Sequence, residues 1–533
     1  MRVVRVNYVD NLFRLMQWTF YAVMGSLFLS AVFNNISTAF WFGFQRQLFS
    51  FLHFTYLFAL TAYFIYRFIY KNHSLKSYMC MKYNIVVPVT MCILLVLQMI
   101  YAYLIQPDFG ADLAIIVNVA GGDAGHRFIH FCERPNLLFM LFFARMLNRG
   151  LFLFGLDNYH ILVLMMVGVI FVNITITLVF YVIKSAIGII EGYIAWIFAI
   201  ILIAFNPWIT VPYSDILSMP FVIGILFLYV KLIEATNERK KNYIAVTIGI
   251  VAAIGYLIKP HSVVVLIAVF IIQFLRDIDT FWLRKALIKE KQALPKGEYL
   301  SKYLVLFTLI GLIVPMVLFG FFVRTQNFIN IDENRAIPFE HYIMMGMSLQ
   351  EVGVGRYRRG SWYEPDKTFT LSHLTTAEMR AANREMIVER LRNFGFIGYT
   401  EFLVTKARWV MGDGTFYWGE YSRLRSEGAS DLQLRLRHIF CRHGENYSYI
   451  PYFMQGIWLF ILFWCFVSVF LKKEVVNNVF NVVICALIGG ILLIMLMEAR
   501  SRYLISYLPL FAIVSSIGFV RALKIFGAII FQK

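Results

Sequence analysis

Residues 160–183 of the chain read HILVLMMVGVIFVNITITLVFYVI. This stretch contains no Asp, Glu, Lys or Arg, and it is rich in Ile, Leu and Val. About 20 apolar residues are enough for an α-helix to cross the hydrocarbon core of a bilayer. The stretch therefore predicts a transmembrane helix, and comparable stretches recur along the whole chain.

The composition agrees with a membrane protein. Of 533 residues, 60% are hydrophobic and only 15% are charged, which is too little polar surface to cover a soluble globule. We predict a mostly α-helical, polytopic membrane bundle. Its twelve spans are expected near residues 15–35, 48–70, 84–105, 160–183, 186–205, 213–233, 242–258, 261–276, 302–322, 452–471, 475–497 and 504–523.

The positive charges indicate the topology. The formal net charge of +18 comes largely from short loops beside the apolar spans, where insertion topology and lipid head groups explain it better than nucleic acid does. Placing both termini in the cytoplasm puts every short basic loop inside. These basic segments are residues 71–82, 237–242, 276–302, 472–473 and 521–526.

This topology requires that the apolar stretch 137–156 does not cross the membrane. Arg145 and Arg149 interrupt it, and we predict a helix that lies at the outer interface with its arginines reaching toward water. The alternative is a thirteenth span, compensated by a missed span elsewhere.

Two large segments are then predicted to face outward. The first is a loop, residues 107–159, between spans of a transmembrane module that comprises residues 1–323. The second is an insert domain, residues 324–451, which precedes the last spans in residues 452–533. The insert domain contains a capping box at Thr375–Glu378, which predicts a helix that ends near Gly395. A second helix is expected from Tyr399 to Val410.

The first outward loop begins PDFGADLAIIVNVAGGDAGH and concentrates acidic residues. Asp108 and Asp112 are four residues apart, so they share one face if the stretch is helical. Asp123 and His126 follow in the same loop. Helix capping and simple solvation explain any one of these residues as well as function does. As a group they stand out, because the rest of the loop is apolar.

Two further outward turns carry charged groups. Asp215 follows Tyr213 at the start of a predicted span, where either helix capping or a role in a site accounts for a carboxylate. Lys259 lies in the turn between two short spans. An ammonium group at that depth needs an anionic partner, which favours a functional role.

The sequence MEARSRYLI ends the eleventh predicted span. Glu498 and Arg502 are four residues apart and are expected to form a helical ion pair, with Arg500 on another face and Tyr503 beside them. Arg500 and Arg502 are candidates for binding an anion. Carboxylates in one loop and cations in other turns suit a reaction in which a hydroxyl is deprotonated and a phosphate leaves.

The chain resembles the GT-C superfamily of integral-membrane glycosyltransferases, which includes protein O-mannosyltransferases and the lipid A aminoarabinose transferase. The resemblance is carried by PDFGADL with Asp108, CERPN at 132–136, PYSD at 212–215, KP at 259–260 and EARSRYLISYLPLF from Glu498. It implies a sugar donor linked to polyprenyl phosphate, a glycan, lipid or protein acceptor, and Asp108 as the general base. Several relatives have adjacent acids in this loop, whereas Asp108 and Asp112 are separated here. Both are therefore catalytic candidates, and the choice of the base between them and the binding of a divalent metal remain open.

On this hypothesis Lys259, Arg500 and Arg502 hold the donor phosphate. His341, the following MMGM at 344–347 and DGTFYW at 413–418 are expected to shape the acceptor pocket, although an ordinary small core also explains them. A transporter or flippase of lipid-linked sugars is the main alternative, and a non-catalytic scaffold is the third.

Overall fold

The computed structural model describes residues 8–42, 44–64, 73–122, 128–289, 300–353, 356–467 and 478–531. Within these residues the protein consists of nineteen α-helices, a few short 3-10 or π-helical turns and one two-stranded sheet. The predicted mostly α-helical membrane bundle is confirmed. Asp123 and His126 lie outside the described residues.

Twelve helices precede the insert domain. They are α1 (Tyr8–Phe42), α2 (Phe44–Phe64), α3 (His73–Ile105), α4 (Ala111–Gly121), α5 (Ile129–Glu133), α6 (Leu138–Phe152), α7 (His160–Ala186), α8 (Ile189–Ala199), α9 (Ser214–Glu234), α10 (Glu238–Ile258), α11 (Val264–Lys289) and α12 (Leu300–Thr325).

The insert domain adds one small sheet and four helices to the bundle. Its elements are α13 (Phe339–Met345), β1 (Leu349–Gly353), β2 (Arg356–Arg359), α14 (Glu364–Leu371), α15 (Thr376–Met411) and α16 (Asp431–Phe440). Strands β1 and β2 are antiparallel. The chain then returns to the bundle with α17 (Tyr449–Val467), α18 (Asn478–Leu496) and α19 (Leu508–Phe531).

All twelve predicted spans coincide with helices. Ten helices in the described part of the chain are long and apolar enough to cross a membrane, namely α1, α3, α7, α9, α10, α11, α12, α17, α18 and α19. The remaining two predictions, 48–70 and 186–205, fall on shorter apolar stretches, Ser50–Thr61 and Ile189–Ala204. Parts of three predicted spans, residues 65–70, 468–471 and 475–477, are outside the described ranges.

Helix α6 (Leu138–Phe152) forms most of the stretch 137–156, which we expected not to cross the membrane. With 15 residues it is about 22 Å long, shorter than the ~30 Å of a hydrocarbon core. Arg145, which we expected to reach toward water, is partly exposed and contacts neighbouring groups of the protein. The guanidinium lies 3.2 Å from the centre of the Phe328 ring, and Nη1 is 3.5 Å from the carbonyl of Ala120. Arg149 is exposed. An interfacial position of α6 stays a prediction.

Helices α9 and α10 form an antiparallel hairpin that defines the two ends of the bundle. The basic segment 237–242 lies at the turn of the hairpin, and α10 brings Lys259 back beside Asp215. We call the end that carries Asp215 and Lys259 the site end. The basic segment therefore lies at the opposite end.

Helices α10 and α12 pack with their backbones in close contact. A Cβ atom at Gly249 would overlap the carbonyl of Thr308, and one at Gly311 would overlap the carbonyl of Val246. The Thr308 hydroxyl donates a hydrogen bond to the carbonyl of Ala245 at 3.1 Å. Small residues allow this approach, which is common between membrane helices.

The predicted capping box begins α15. The Thr375 hydroxyl accepts a hydrogen bond from the Glu378 amide at 3.2 Å, and the Glu378 carboxylate accepts one from the Thr375 amide at 3.0 Å. The helix is interrupted at Gly395, where φ is +58°, and then continues to Met411. The two predicted helices are therefore the two halves of α15.

Candidate functional site

Asp215 begins α9 at the site end of the bundle. The preceding segment is shaped by Asn206, whose side chain accepts a hydrogen bond from the Trp208 amide at 3.2 Å and caps the short turn Pro207–Thr210. The chain is extended at Tyr213 and becomes helical at Ser214. Asp215 therefore lies in the first turn of α9, where the helix dipole favours a negative charge. Its side chain is fully buried.

Lys259 supplies the cation that this carboxylate requires. Its backbone is extended because the following residue, Pro260, disfavours a helical conformation before it. The buried Lys259 ammonium donates a hydrogen bond to Oδ1 of Asp215. Nη1 of Arg502 lies 3.9 Å from Oδ2 of the same carboxylate. Asp215 therefore lies between two cations contributed by different turns.

The predicted helical ion pair between Glu498 and Arg502 is wrong. Helix α18 ends at Leu496, and Arg500 is in an extended conformation, so the four-residue spacing does not place these two side chains together. Glu498 instead pairs with Arg500, with Oε1 and Nε 3.2 Å apart. Oε2 of Glu498 accepts a hydrogen bond from the Tyr503 hydroxyl at 3.1 Å.

Arg502 lies in a cage of aromatic rings. Its guanidinium carbon is 4.8 to 5.3 Å from the ring centres of Tyr421, Tyr213 and Tyr503. The residue is 5% exposed, yet Nε and Nη1 have no hydrogen-bond partner among the described residues. The Tyr421 hydroxyl is also buried and lacks such a partner. Buried donors are usually satisfied, so this group of donors is suited to an anionic ligand.

Asp112 extends the cluster on the other side of Tyr213. Its Oδ2 accepts a hydrogen bond from the Tyr213 hydroxyl at 2.9 Å, and its Oδ1 lies 3.3 Å from Arg134 and 3.1 Å from His130. Burial alone would raise the pKa of the Asp112 carboxyl. The hydrogen bond with His130 and the charges of Arg134 and Arg502 outweigh burial and hold that pKa well below its usual range. Asp112 is therefore a firmly held carboxylate.

Asp108 and Asp112 do not share a helical face, because α4 begins only at Ala111. Asp108 instead forms an antiparallel bridge with Arg423 of the insert domain, with two backbone hydrogen bonds of 3.0 Å. Its side chain is exposed and makes no hydrogen bond or ion pair with any described residue. Asp108 and Asp112 thus differ, because the Asp112 carboxylate is paired and the Asp108 carboxylate has no partner among the described residues.

His341 lies inside the insert domain. It is fully buried, and its Nδ1 is 2.7 Å from the Thr370 hydroxyl. Burial, and to a smaller degree the charges of Arg134, Lys367 and Arg390, lower the pKa of His341 to about 4. This environment is that of a core residue, which is the alternative that the sequence left open.

The described residues contain no grouped set of metal ligands. Over the described ranges no group of three or more His, Cys, Asp or Glu side chains could hold a metal ion. Both oxygens of Asp112 already contact Tyr213, Arg134 and His130. A cavity of about 310 Å³ between α11 and α12 is lined by residues such as Phe270 and Leu304 and does not touch the cluster.

Residues 8–523 match a family model described as conserved hypothetical integral membrane protein (CHIM_prot). The chain belongs to this family. No curated protein and no solved structure matches the sequence. The family description and the ten candidate spans together establish a multi-pass integral membrane protein.

In this CHIM_prot chain, sequence reasoning missed several residues of the cluster. Arg134 lies in the CERPN stretch that carries the resemblance, but the sequence did not indicate that it pairs with Asp112. His130 is one helical turn before it. Tyr421 is contributed by the insert domain and had no local signal. Asp413, which accepts a hydrogen bond from the Ser501 hydroxyl at 2.6 Å, was noticed only as part of DGTFYW.

Proposed function

We propose that this protein is a membrane glycosyltransferase that moves a sugar from a polyprenyl-phosphate donor to an acceptor on the extracytoplasmic side. The resemblance to the GT-C superfamily motivates the reaction class. The basic segment 237–242 lies at the end of the bundle opposite Lys259, which supports an outward-facing site end.

The environment of Arg502 is the observation that carries the proposal. A buried guanidinium with two unused donor atoms, beside a lysine and an unused tyrosine hydroxyl, is chemically suited to a phosphate group. Lys259 and Arg502 lie beside different oxygens of the Asp215 carboxylate, whose charge offsets one of theirs. The remaining positive charge and the planar donor geometry favour a phosphate monoanion or dianion over a neutral ligand.

Asp108 is the general base in this proposal. A base must reach the hydroxyl from which it removes a proton, and Asp108 is an exposed acid of the first loop whose carboxylate has no partner among the described residues. Asp112 suits the role less well, because its lowered pKa makes it a weak base and its oxygens are occupied. Its expected task is to hold Tyr213 and Arg134 in place.

The proposed reaction has one displacement step. The acceptor hydroxyl oxygen forms a bond to the anomeric carbon of the donor sugar while its proton moves to the Asp108 carboxylate. The bond between that carbon and the phosphate oxygen breaks, and its electron pair leaves with polyprenyl phosphate. Attack from the face opposite the phosphate inverts the configuration. General-base assistance is worth ~10²- to 10⁴-fold, and groups that stabilise the leaving oxygen ~10²- to 10³-fold each.

The test uses the full-length protein in liposomes that contain polyprenyl-phosphate-linked sugars from a bacterial membrane extract, with an envelope fraction as acceptor. Formation of free polyprenyl phosphate and of a new glycosidic bond is measured. We expect Asp108→Asn to reduce transfer at least ~10²-fold while donor binding is retained. Asp431→Asn, at an exposed acid of the insert domain, is the matched control.

A second pair of variants tests the phosphate site. Arg502→Gln should weaken binding of undecaprenyl phosphate at least ~10-fold, because the buried guanidinium donors are lost. Arg435→Gln removes an exposed arginine from α16 and should leave binding unchanged. Movement of lipid-linked sugar across the liposome without any new glycosidic bond would instead identify a flippase. Full transfer by Asp108→Asn would remove that residue from the mechanism.

A further inference from the structure

The insert domain is hydrogen-bonded to the segment that carries the site arginines. The amide of Glu498 donates to the carbonyl of Tyr342 at 2.8 Å, and the amide of Ala499 donates to the carbonyl of Gly360 at 2.6 Å. This segment follows α18 and leads directly to Arg500. The position of the arginines therefore depends on contacts with the insert domain.

Lys406 is the central contact between the two. It lies in the second half of α15 and is fully buried. Its ammonium group donates to the carbonyls of Gly346 and Met495 at 2.8 Å and of Met497 at 2.6 Å. All three ammonium donors are thus used. Met495 belongs to the last turn of α18, where carbonyls lack helical partners and attract a cation.

Two glycines lie close to Lys406 and the carbonyls that it contacts. A Cβ atom at Gly360 would lie 2.6 Å from Cε and 2.7 Å from Nζ of Lys406. Gly360 also has a φ of +63°, a conformation that glycine adopts without strain. A Cβ atom at Gly346 would lie 2.6 Å from the backbone of Met497. Because Gly346 and Gly360 have no side chains, the insert domain can approach the end of α18 closely enough for Lys406 to reach its carbonyl acceptors.

We propose that Lys406 is a positioning residue that fastens segment 495–502 to the insert domain and so holds Arg502 in its phosphate-binding orientation. A buried ammonium is costly to desolvate, and an apolar side chain would fill the same volume without that cost. The three carbonyls that accept its hydrogen bonds belong to two parts of the fold, so the ammonium group joins these two parts. The identity of the ligand, polyprenyl phosphate, rests on the proposed function; the fastening itself does not.

The experiment compares the full-length protein with Lys406→Met, which keeps the length of the side chain and removes its donors. Hydrogen exchange, followed by mass spectrometry, should become at least ~10-fold faster in residues 495–502, because hydrogen bonds to a charged group are lost. Exchange in α9 and α10 should stay unchanged. The dissociation constant for undecaprenyl phosphate should rise ~10-fold or more.

The matched control is Arg384→Gln, in the same helix. Arg384 is exposed and pairs with Glu340 at 2.7 Å, so exchange in residues 495–502 should not change. A methyl group at Gly360 would overlap the carbonyl of Gly346, an acceptor of Lys406, and would lie 2.7 Å from Nζ. Gly360→Ala therefore disturbs this contact without removing the charge and should give the same selective increase in exchange, which decides the matter if Lys406→Met does not fold. Unchanged exchange in residues 495–502, or an increase spread evenly over the chain, would overturn the proposal.

Failure of the two proposals can be distinguished. If the unmodified protein does not bind undecaprenyl phosphate, the proposed donor class is wrong. The exchange measurement on Lys406→Met does not depend on that ligand. Faster exchange confined to residues 495–502 would then still support the fastening by Lys406.

Discussion

Lys259 and Asp215 form a buried ion pair between the end of α10 and the start of α9. The two residues are 44 positions apart in sequence and meet because the helices form an antiparallel hairpin. The pair gives the site end a fixed carboxylate, against which Arg502 is placed at 3.9 Å. It therefore serves both the packing of the hairpin and the arrangement of the cations.

Removal of one partner of this pair should be strongly destabilising. Lys259→Met leaves the fully buried Asp215 carboxylate without its hydrogen-bonded partner, which costs about 3 to 5 kcal/mol. The thermal midpoint of the protein in nanodiscs measures the loss. Lys231→Met breaks an exposed pair with Glu234 and should cost no more than ~1 kcal/mol. Adding Asp215→Asn to Lys259→Met should recover part of the loss; strictly additive effects would contradict a coupled pair.

The insert domain should lose stability in mild acid through His341. Burial lowers the pKa of His341 from 6.5 to about 4, so the unfolded chain binds more protons than the folded one between these values. The free energy of unfolding is not reduced by His341 above pH 6.5. It falls by ~3 kcal/mol through this residue as the pH is lowered to 4. Limited proteolysis of the insert domain across this range measures the effect.

Two histidine variants check the assignment of this pH dependence. His341→Gln should flatten the dependence, because the group that titrates is removed. His443→Asn, at an exposed position with a φ of +71°, should retain it. An equally steep acid loss in His341→Gln would show that other groups are responsible.

The contact between α10 and α12 should not tolerate added volume. Gly249→Ala places a methyl group against the Thr308 carbonyl, and overpacking of this kind typically costs 1 to 3 kcal/mol. Gly320→Ala, in α12, meets no described atom within 4 Å and should be neutral or slightly stabilising. Thermal unfolding in one detergent compares the two variants. Equal midpoints would contradict the close backbone contact.

Asp413 should affect the arginine segment through Ser501. Its carboxylate accepts hydrogen bonds from the Ser501 hydroxyl at 2.6 Å and from the amides of Thr415 and Tyr417 at 2.9 Å. Asp413→Asn turns one acceptor into a donor, at a cost of ~1 to 3 kcal/mol. We expect weaker binding of undecaprenyl phosphate, measured by titration, whereas Asp431→Asn should bind normally. If Asp413→Asn bound undecaprenyl phosphate with the affinity of the wild type, the loop that contains Asp413 would have no influence on the site.

Much of the architecture could be predicted from the sequence, because apolar length is a local property. Each predicted span fell on a helix, and the capping box at Thr375 identified the start of α15 correctly. The order of the spans predicted that Lys259 and Asp215 lie at the same end of the bundle, as they do. Their direct contact depends on how two helices pack, which no local pattern contains.

The side-chain pairings were the part that could not be predicted. The pairing of Glu498 was predicted wrongly because helix spacing was applied where the backbone is extended. Asp112 finds Arg134 22 residues away and Tyr213 101 residues away, so both contacts arise only in the folded bundle. Tyr421 reaches Arg502 from a different segment altogether.

The position of Arg502 so late in the chain gives biosynthesis a fixed order. The hairpin of α9 and α10 can neutralise Asp215 with Lys259 soon after both emerge from the ribosome, so the buried acid is not left alone during insertion. The guanidinium that lies among the three tyrosine rings follows only after the insert domain and α18 have been translated. A polypeptide that stalls before residue 502 consequently contains the lysine partner of Asp215 but lacks the second cation beside this carboxylate.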